Sequence, residues 1–457
     1  MMSVKNKKFK LFEAVLAAVC IVLVAEAAAP AAAIGNSQYF WWILIVIGFF
    51  MPYGLVTAEL GTTYESEGGM FDWTNRAFGE KWGSRVAWLY WVNYPLWIGS
   101  LAVLFTGIIE QLTGNALPTM IYIPIQLVFI WLVVFVCSSP VSDNKLLLNI
   151  SAVFKVIIMV SLGALGIYVA ATKGFANDFS AETFLPSLDP AGLSFISVII
   201  FNFMGFEVVS SFASQMENPK KQIPKAIIIG GVLITGFYLL ASFGMGVAVP
   251  KEELSSSGGL IDSFILLLDG NAKWFVVLIG LMFMFTLAGN LISWASGVNF
   301  TAKYAADNNA LPKIFGTVNK KGMPKGANIL NGVIATVLVV AAPFIPSEDI
   351  FWSFFGLNVV ALLLSYIMLF PTFLKLRKID GDIERPFKVS GSNLKIKIIA
   401  IVPLILLAAS VGFSVIPLEN TPEEIGVKIP VLIGTIVTLI IGEIFAHTCT
   451  KRNHLKK

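Results

Sequence analysis

The chain has 457 residues, 56% of them hydrophobic and 13% charged, with a mean hydropathy of +0.80 and a formal net charge of +4. Soluble domains carry about 25% charged residues, so this composition describes a polytopic membrane protein. Two histidines near the C-terminus (His447, His454) and three cysteines without CxxC spacing (Cys20, Cys137, Cys449) give no basis for a metal centre, and no phosphate-binding loop supports ATP-driven work. No enzyme activity, cofactor or nucleic-acid partner is expected.

The first apolar stretch, 11–34, has 24 residues. At about 1.5 Å per residue it can cross a hydrocarbon core of about 30 Å. Lys5, Lys7, Lys8 and Lys10 precede it and alanines end it, as in a signal peptide. Its length and the acid inside it, Glu26, argue instead for a retained first span. An ionisable group at membrane depth costs roughly 2.5–3.5 kcal/mol on insertion scales, so it faces a cavity or a partner. Pro30 cannot hydrogen-bond to the Glu26 carbonyl one turn back and should loosen the helix at the acid. A charged, loosened point in a spanning helix is how transporters build binding sites.

Hydropathy predicts twelve spans: 11–34, 39–63, 82–109, 116–138, 144–171, 191–214, 223–249, 273–302, 326–346, 350–374, 395–417 and 427–447. With the N-terminus inside, 27 of the 32 Lys and Arg fall on the inner side, four (Lys173, Lys251, Lys273, Lys428) fall outside, and Lys155 lies within a span. The positive-inside rule then places both termini in the cytoplasm. After the second span, Gly68-Gly69 breaks the helix ahead of an amphipathic segment, which is either an ordinary connector or a gating loop under the site. The sixth span carries Asn202, Gly205 and Glu207, again an acid beside a helix-weakening residue, 181 positions after Glu26. Two five-helix repeats of opposite orientation would produce this correspondence.

Three stretches, AELGTTYESEGGMFDW, FNFMGFEVVSSFASQMENPKKQIPKA and SWASGVNFTAKYAADNNALPKIFGTVNKKGMP, resemble amino acid–polyamine–organocation transporters. The likeness is greatest to the glutamate/GABA antiporter branch and, in EAAAPAAAIGNSQYFWW, to bacterial agmatine/putrescine antiporters. It implies an all-α fold with a LeuT-like 5+5 inverted repeat and broken first and sixth helices. The cytoplasmic arm would be 1–10, the repeats 11–171 and 191–374, the peripheral helices 395–447 and the cytoplasmic tail 448–457. It also implies secondary transport by alternating access. Amino-acid carriers of this family hold a substrate carboxylate on free amides of a Gly-Ser-Gly-type segment. Here Val24-Ala25-Glu26 stands in that place, where an anionic side chain repels a carboxylate and attracts an ammonium.

Glu26 is therefore either a contact for a cationic substrate or a structural acid, paired to Lys155 or capping unwound amides. Glu207 matches an acid present in relatives with neutral substrates, which points to proton sensing or to holding the broken helix; the other reading is substrate specificity. Lys155 resembles a lysine that replaces Na⁺ in some relatives, or is a plain charge partner; both readings predict sodium independence. Phe201 and Trp294 match gating or stacking aromatics and could equally be packing. Trp97 and Asn93 of the third span, and Asn290 of the eighth, could line the site. Glu443 is expected to snorkel to the interface. The expected function is exchange of cationic amines such as agmatine and putrescine across the plasma membrane. An amino-acid permease or glutamate/GABA exchanger is the alternative within transport. A channel would favour a continuous polar stripe, and a sensor a soluble signalling domain; these residues show neither. Oligomeric state is open.

Overall fold

The computed structural model describes residues 10–454 except 33, 65, 67, 211–215, 251–258 and 346–348. Lys5, Lys7, Lys8, part of the two connectors after the second and sixth spans, and the last three residues of the tail lie outside the described residues. The described chain is helical. Its helices are α1 (Leu11–Val22), α2 (Ala28–Ala32), α3 (Gly35–Thr63), α4 (Gly69–Phe78), α5 (Glu80–Thr113), α6 (Thr119–Val136), α7 (Lys145–Thr172) and α8 (Pro190–Phe201). They continue with α9 (Glu207–Ser210), α10 (Pro219–Ala248), α11 (Gly259–Leu267), α12 (Lys273–Asp307), α13 (Lys325–Phe344), α14 (Ile350–Ile379), α15 (Asn393–Val415) and α16 (Pro422–His454). Among the described residues there is no sheet, only an isolated bridge between Val318 and Pro324. Ten of these helices are long and apolar enough to cross a membrane.

The predicted spans 11–34 and 191–214 are the interrupted ones. The first breaks at Leu23–Val24, between α1 and a tight turn at Ala25–Ala27 that leads into α2. The break therefore lies two residues before Glu26 rather than at a kink imposed by Pro30. Pro30 is the third residue of α2, where a backbone N–H has no acceptor within its own helix, so a proline there starts a helix at little cost. The second break separates α8 from α9 by a turn through Asn202–Phe206. Gly205 adopts φ +108, a conformation glycine tolerates, and a Cβ there would stand 2.7 Å from the Trp294 ring.

α5 and α14 bury 78% of their most apolar windows, and α6 and α16 only 28%, so the former pair is central and the latter faces outward. Where α7 crosses α10, a Cβ on Gly166 would lie 2.6 Å from the Gly244 Cα; small residues let these backbones touch. α16 is attached by the Arg85–Glu443 pair (2.8 Å at both oxygens) and by the Trp88 Nε1 bond to the Thr438 carbonyl (2.8 Å). Glu443 therefore does not snorkel freely; a bidentate guanidinium holds it.

The lysine-rich connectors gather at one end of the bundle, which we term the basic end. There Glu59 of α3, fully buried, accepts from Arg377 (2.8 and 2.5 Å), Arg385 (3.2 Å) and the Val389 amide (2.7 Å). Asp380 accepts from Arg76 (2.6 Å) and Tyr64 (2.9 Å). The segment after Gly68-Gly69 is the helix α4, whose Met70, Phe71 and Trp73 are buried against the bundle. It is a packed helix, which fits either expectation for this segment.

Candidate substrate site

The break in the first span follows from an exchange of hydrogen bonds. The α-helical ladder continues through Leu23 N to Val19 O (3.0 Å). The next bond would run from Val24 N to Cys20 O, and both groups are diverted. Val24 N donates to the Tyr238 hydroxyl of α10 (2.9 Å), and that hydroxyl donates back to Val24 O (3.0 Å). Cys20 O accepts from the Lys155 ammonium of α7 (2.5 Å). Unwound backbone inside a membrane must be satisfied by neighbours, and here α7 and α10 supply them. A hydrogen bond from a charged donor contributes about 1.5–3 kcal/mol, so the lysine holds the break open. Lys155 is fully buried, and among the described residues no carboxylate lies within 4.0 Å of it. Lys155 therefore makes no direct ion pair with Glu26, although the two charges still act on each other through space: the carbonyl freed by the break takes the ammonium, and the Glu26 carboxylate also accepts from its own backbone amide.

Glu26, 3% exposed, follows in the turn after Val24 and Ala25, which are also buried. Both of its carboxylate oxygens accept from Asn290 Nδ2 of α12, at 2.8 Å each. Among the described residues no Lys or Arg lies within 4.0 Å of the carboxylate. Asn202, at the second break, reaches the Ala27 carbonyl through Nδ2 (3.5 Å). Asn290 Oδ1, Asn202 Oδ1 and Trp97 Nε1 are buried without a hydrogen-bond partner among the described residues. Buried polar atoms are nearly always paired, so the Asn290 oxygen left over beside the carboxylate calls for a further partner, water or ligand.

Aromatic rings close over this region. Trp97 meets Phe201 edge-on (6.0 Å) and Trp294 edge-on (6.4 Å); Phe201 in turn meets Phe355 of α14 (5.4 Å). Trp294 Nε1 donates to Asn93 Oδ1 (3.4 Å), and Asn93 Nδ2 donates to the Tyr90 carbonyl (2.5 Å). The residues expected here, Asn93, Trp97, Phe201, Gly205 and Trp294, are brought together.

Glu207 is held differently. Oε1 accepts from Tyr90 (2.6 Å) and Tyr366 (2.6 Å), and Oε2 accepts from the Tyr53 hydroxyl. The three tyrosines come from α5, α14 and α3. With both oxygens occupied, Glu207 is a junction between the second break and three long helices. Sequence reasoning missed these tyrosines, together with Tyr238 and Phe355. The available signal was a tyrosine inside an otherwise apolar span, whose hydroxyl must find a partner.

The family description "Amino acid permease" matches residues 9–441. The chain belongs to the amino acid permease family. Over 440 residues this permease is 51% identical to the probable agmatine/putrescine antiporter of Lactococcus lactis subsp. lactis, covering 96% of this chain and 94% of that relative. It is 28% identical over 388 residues to an uncharacterized transporter of Legionella pneumophila, covering 81% and 82%. It is 24% identical over 421 residues to the glutamate/gamma-aminobutyrate antiporter of Lactococcus lactis subsp. lactis, covering 89% and 84%. This permease is accordingly a multi-pass membrane protein.

Proposed function

We propose that this permease is a secondary antiporter that exchanges small cationic amines of the agmatine/putrescine class by alternating access. The observation that carries the reading is the Glu26 carboxylate: buried, with no protein cation within 4.0 Å, and beside amide oxygens left unpaired. Lys155 acts on this charge through space but makes no contact with it, and a buried charge without a contacting countercharge is unfavourable. A substrate cation is the natural countercharge, and two unit charges 4 Å apart attract by about 4 kcal/mol at an effective dielectric of 20. The 51% identity to a probable agmatine/putrescine antiporter supports the same substrate class. In this reading the repeats are 11–171 and 191–374 in inverted orientation, with 395–447 peripheral. Both termini, and hence the basic end, face the cytoplasm of the cell membrane. Glu207 serves as the proton-responsive joint, Lys155 stands where a sodium ion would otherwise bind, and the aromatic cluster gates the site. There is no catalysed chemistry.

Exchange of glutamate for GABA is the alternative suggested by more distant relatives. Two features weigh against it: Glu26 would repel a substrate carboxylate, and the Val24 amide that could hold one is taken by Tyr238. The deciding experiment is counterflow in proteoliposomes preloaded with putrescine. Labelled agmatine should enter far faster than into empty vesicles, and glutamate and GABA should not compete. Equal rates with and without preload would overturn antiport, and strong competition by glutamate would overturn the substrate class.

A further inference from the structure

Asn290 does two things that the proposed activity alone does not require. Its Nδ2 donates to both oxygens of Glu26, at 2.8 Å each, and its Oδ1 is buried with no partner. The orientation of the amide is fixed by chemistry, because a flipped side chain would set the carbonyl oxygen against a carboxylate. Asn202 repeats the pattern from the other broken segment. Its Nδ2 reaches the Ala27 carbonyl, next to Glu26, and its Oδ1 is also left unpaired and buried. In both amides the donor end is spent on the first broken segment and the acceptor end is left over. A fully buried amide oxygen without a hydrogen bond costs about 1–3 kcal/mol. Water can satisfy it in the empty site; when a cation fills the site, the donors of that cation must take over.

We infer that Asn290 is a specificity-determining residue: its side-chain oxygen, together with the Glu26 carboxylate, forms a seat that reads the N–H groups of a primary ammonium. This rests on the proposal that Glu26 faces a cationic amine. It goes further by separating two kinds of cation. A carboxylate alone attracts any positive charge of suitable size. A carboxylate with an unpaired amide oxygen beside it favours a cation with several N–H donors over one whose nitrogen is fully methylated. The missing donors would leave the amide oxygen buried and unpaired, and sites built to hydrogen-bond a group reject analogues that lack it.

The test compares putrescine with its bis-trimethylammonium analogue, which carries the same two charges and no N–H. Both are measured as competitors of labelled putrescine on the purified full-length protein, wild type and Asn290→Leu. Leucine keeps the branching and the number of heavy atoms and removes both donor and acceptor. The expected result is that the variant weakens putrescine binding at least ~10-fold more, about 1.4 kcal/mol, than it weakens binding of the quaternary analogue, which loses only the Asn290 support of Glu26. If Asn290 only orients Glu26, both ligands weaken by the same factor, and the inference is overturned. Asn290→Ser, whose hydroxyl has a shorter reach, gives the same ratio test if the leucine variant does not fold. Wild-type protein that binds neither amine would instead overturn the proposed function, so the two failures are distinguishable.

Discussion

Glu26→Gln is the most incisive perturbation of this permease. Glutamine preserves the length and planarity of the side chain, and its oxygen can still accept from Asn290 Nδ2. What is lost is the negative charge, at a site only 3% exposed. The attraction for a substrate cation at 4 Å is about 4 kcal/mol at an effective dielectric of 20. Desolvation of the amine offsets a large part of that, so the expected net loss is at least ~1.4 kcal/mol, or ~10-fold in affinity. Because burying an unpaired carboxylate is costly, the empty glutamine variant should be at least as heat-stable as wild type. The assay pairs equilibrium binding of labelled agmatine with a melting curve of the ligand-free protein. Wild-type affinity in a well-folded Glu26→Gln protein would refute the reasoning, because Glu26 would then be structural.

Other outcomes test the surroundings of the site. Since the Lys155 ammonium already satisfies the Cys20 carbonyl, replacing Na⁺ with choline should leave uptake unchanged, and a strict sodium requirement would contradict that assignment. Tyr238→Phe keeps the ring stacked on Trp42 (5.1 Å) but strands the N–H and C=O of Val24, each costing roughly 1–3 kcal/mol when buried and unpaired. A lowered melting temperature is expected, and an unchanged one would show that the break is held by other means. At the basic end, the Arg76 guanidinium is the main influence holding the Asp380 carboxyl below its usual range. Its contribution to stability is complete above the ordinary carboxylate value of about 3.9 and is lost as pH falls through the lower folded value. Asp380→Asn should therefore flatten the acid limb of the melting curve, and an unaltered limb would discount the pair.

The helical, membrane-spanning character of the chain and its two buried acids could be read from hydropathy and charge, because membrane insertion writes those features as local runs; ten of the described helices are long and apolar enough to span, against twelve predicted. Glu26 and Glu207 stood out because a carboxylate in an apolar run has few explanations. The partners of those acids were not legible. Tyr53, Tyr90 and Tyr366 meet at Glu207 from positions up to 313 residues apart, and none is marked by local pattern. Pro30 pointed to loosened backbone at the acid, and Glu26 does lie in the tight turn Ala25–Ala27, but the cause differs: a proline reads as a breaker from sequence, whereas here it stands in the first turn of α2. Lys155 was assigned to an acid because opposite charges are the obvious pair. A carbonyl freed by unwinding has no signature in the sequence at all.

The two acids are clamped by separate sets of helices. Glu26 depends on α12 through Asn290, and its backbone break depends on α7 and α10, which themselves touch at Gly166 and Gly244. Glu207 depends on α3, α5 and α14. Besides the bond from the Tyr94 hydroxyl of α5 to the Leu291 carbonyl of α12 (2.9 Å), a series of contacts spans the two sets. Tyr90 donates to Glu207, Asn93 donates to the Tyr90 carbonyl, Trp294 donates to Asn93, and Asn290 lies one turn before Trp294 on α12. Spatial continuity alone does not establish coupling; a ligand shifts a conformational equilibrium only by binding its two states differently. The geometry supplies such a difference. On the proposed function, a cation seated at Glu26 would act on the Asn290 amide and hence on α12, whereas a proton on Glu207 would make one of its oxygens a donor while the other stays an acceptor, so that a tyrosine facing the protonated oxygen must turn its hydroxyl. Each event would alter contacts in a different set of helices, and the sets meet at the Trp294–Asn93 hydrogen bond (3.4 Å) and at the bond from the Tyr94 hydroxyl to the Leu291 carbonyl (2.9 Å).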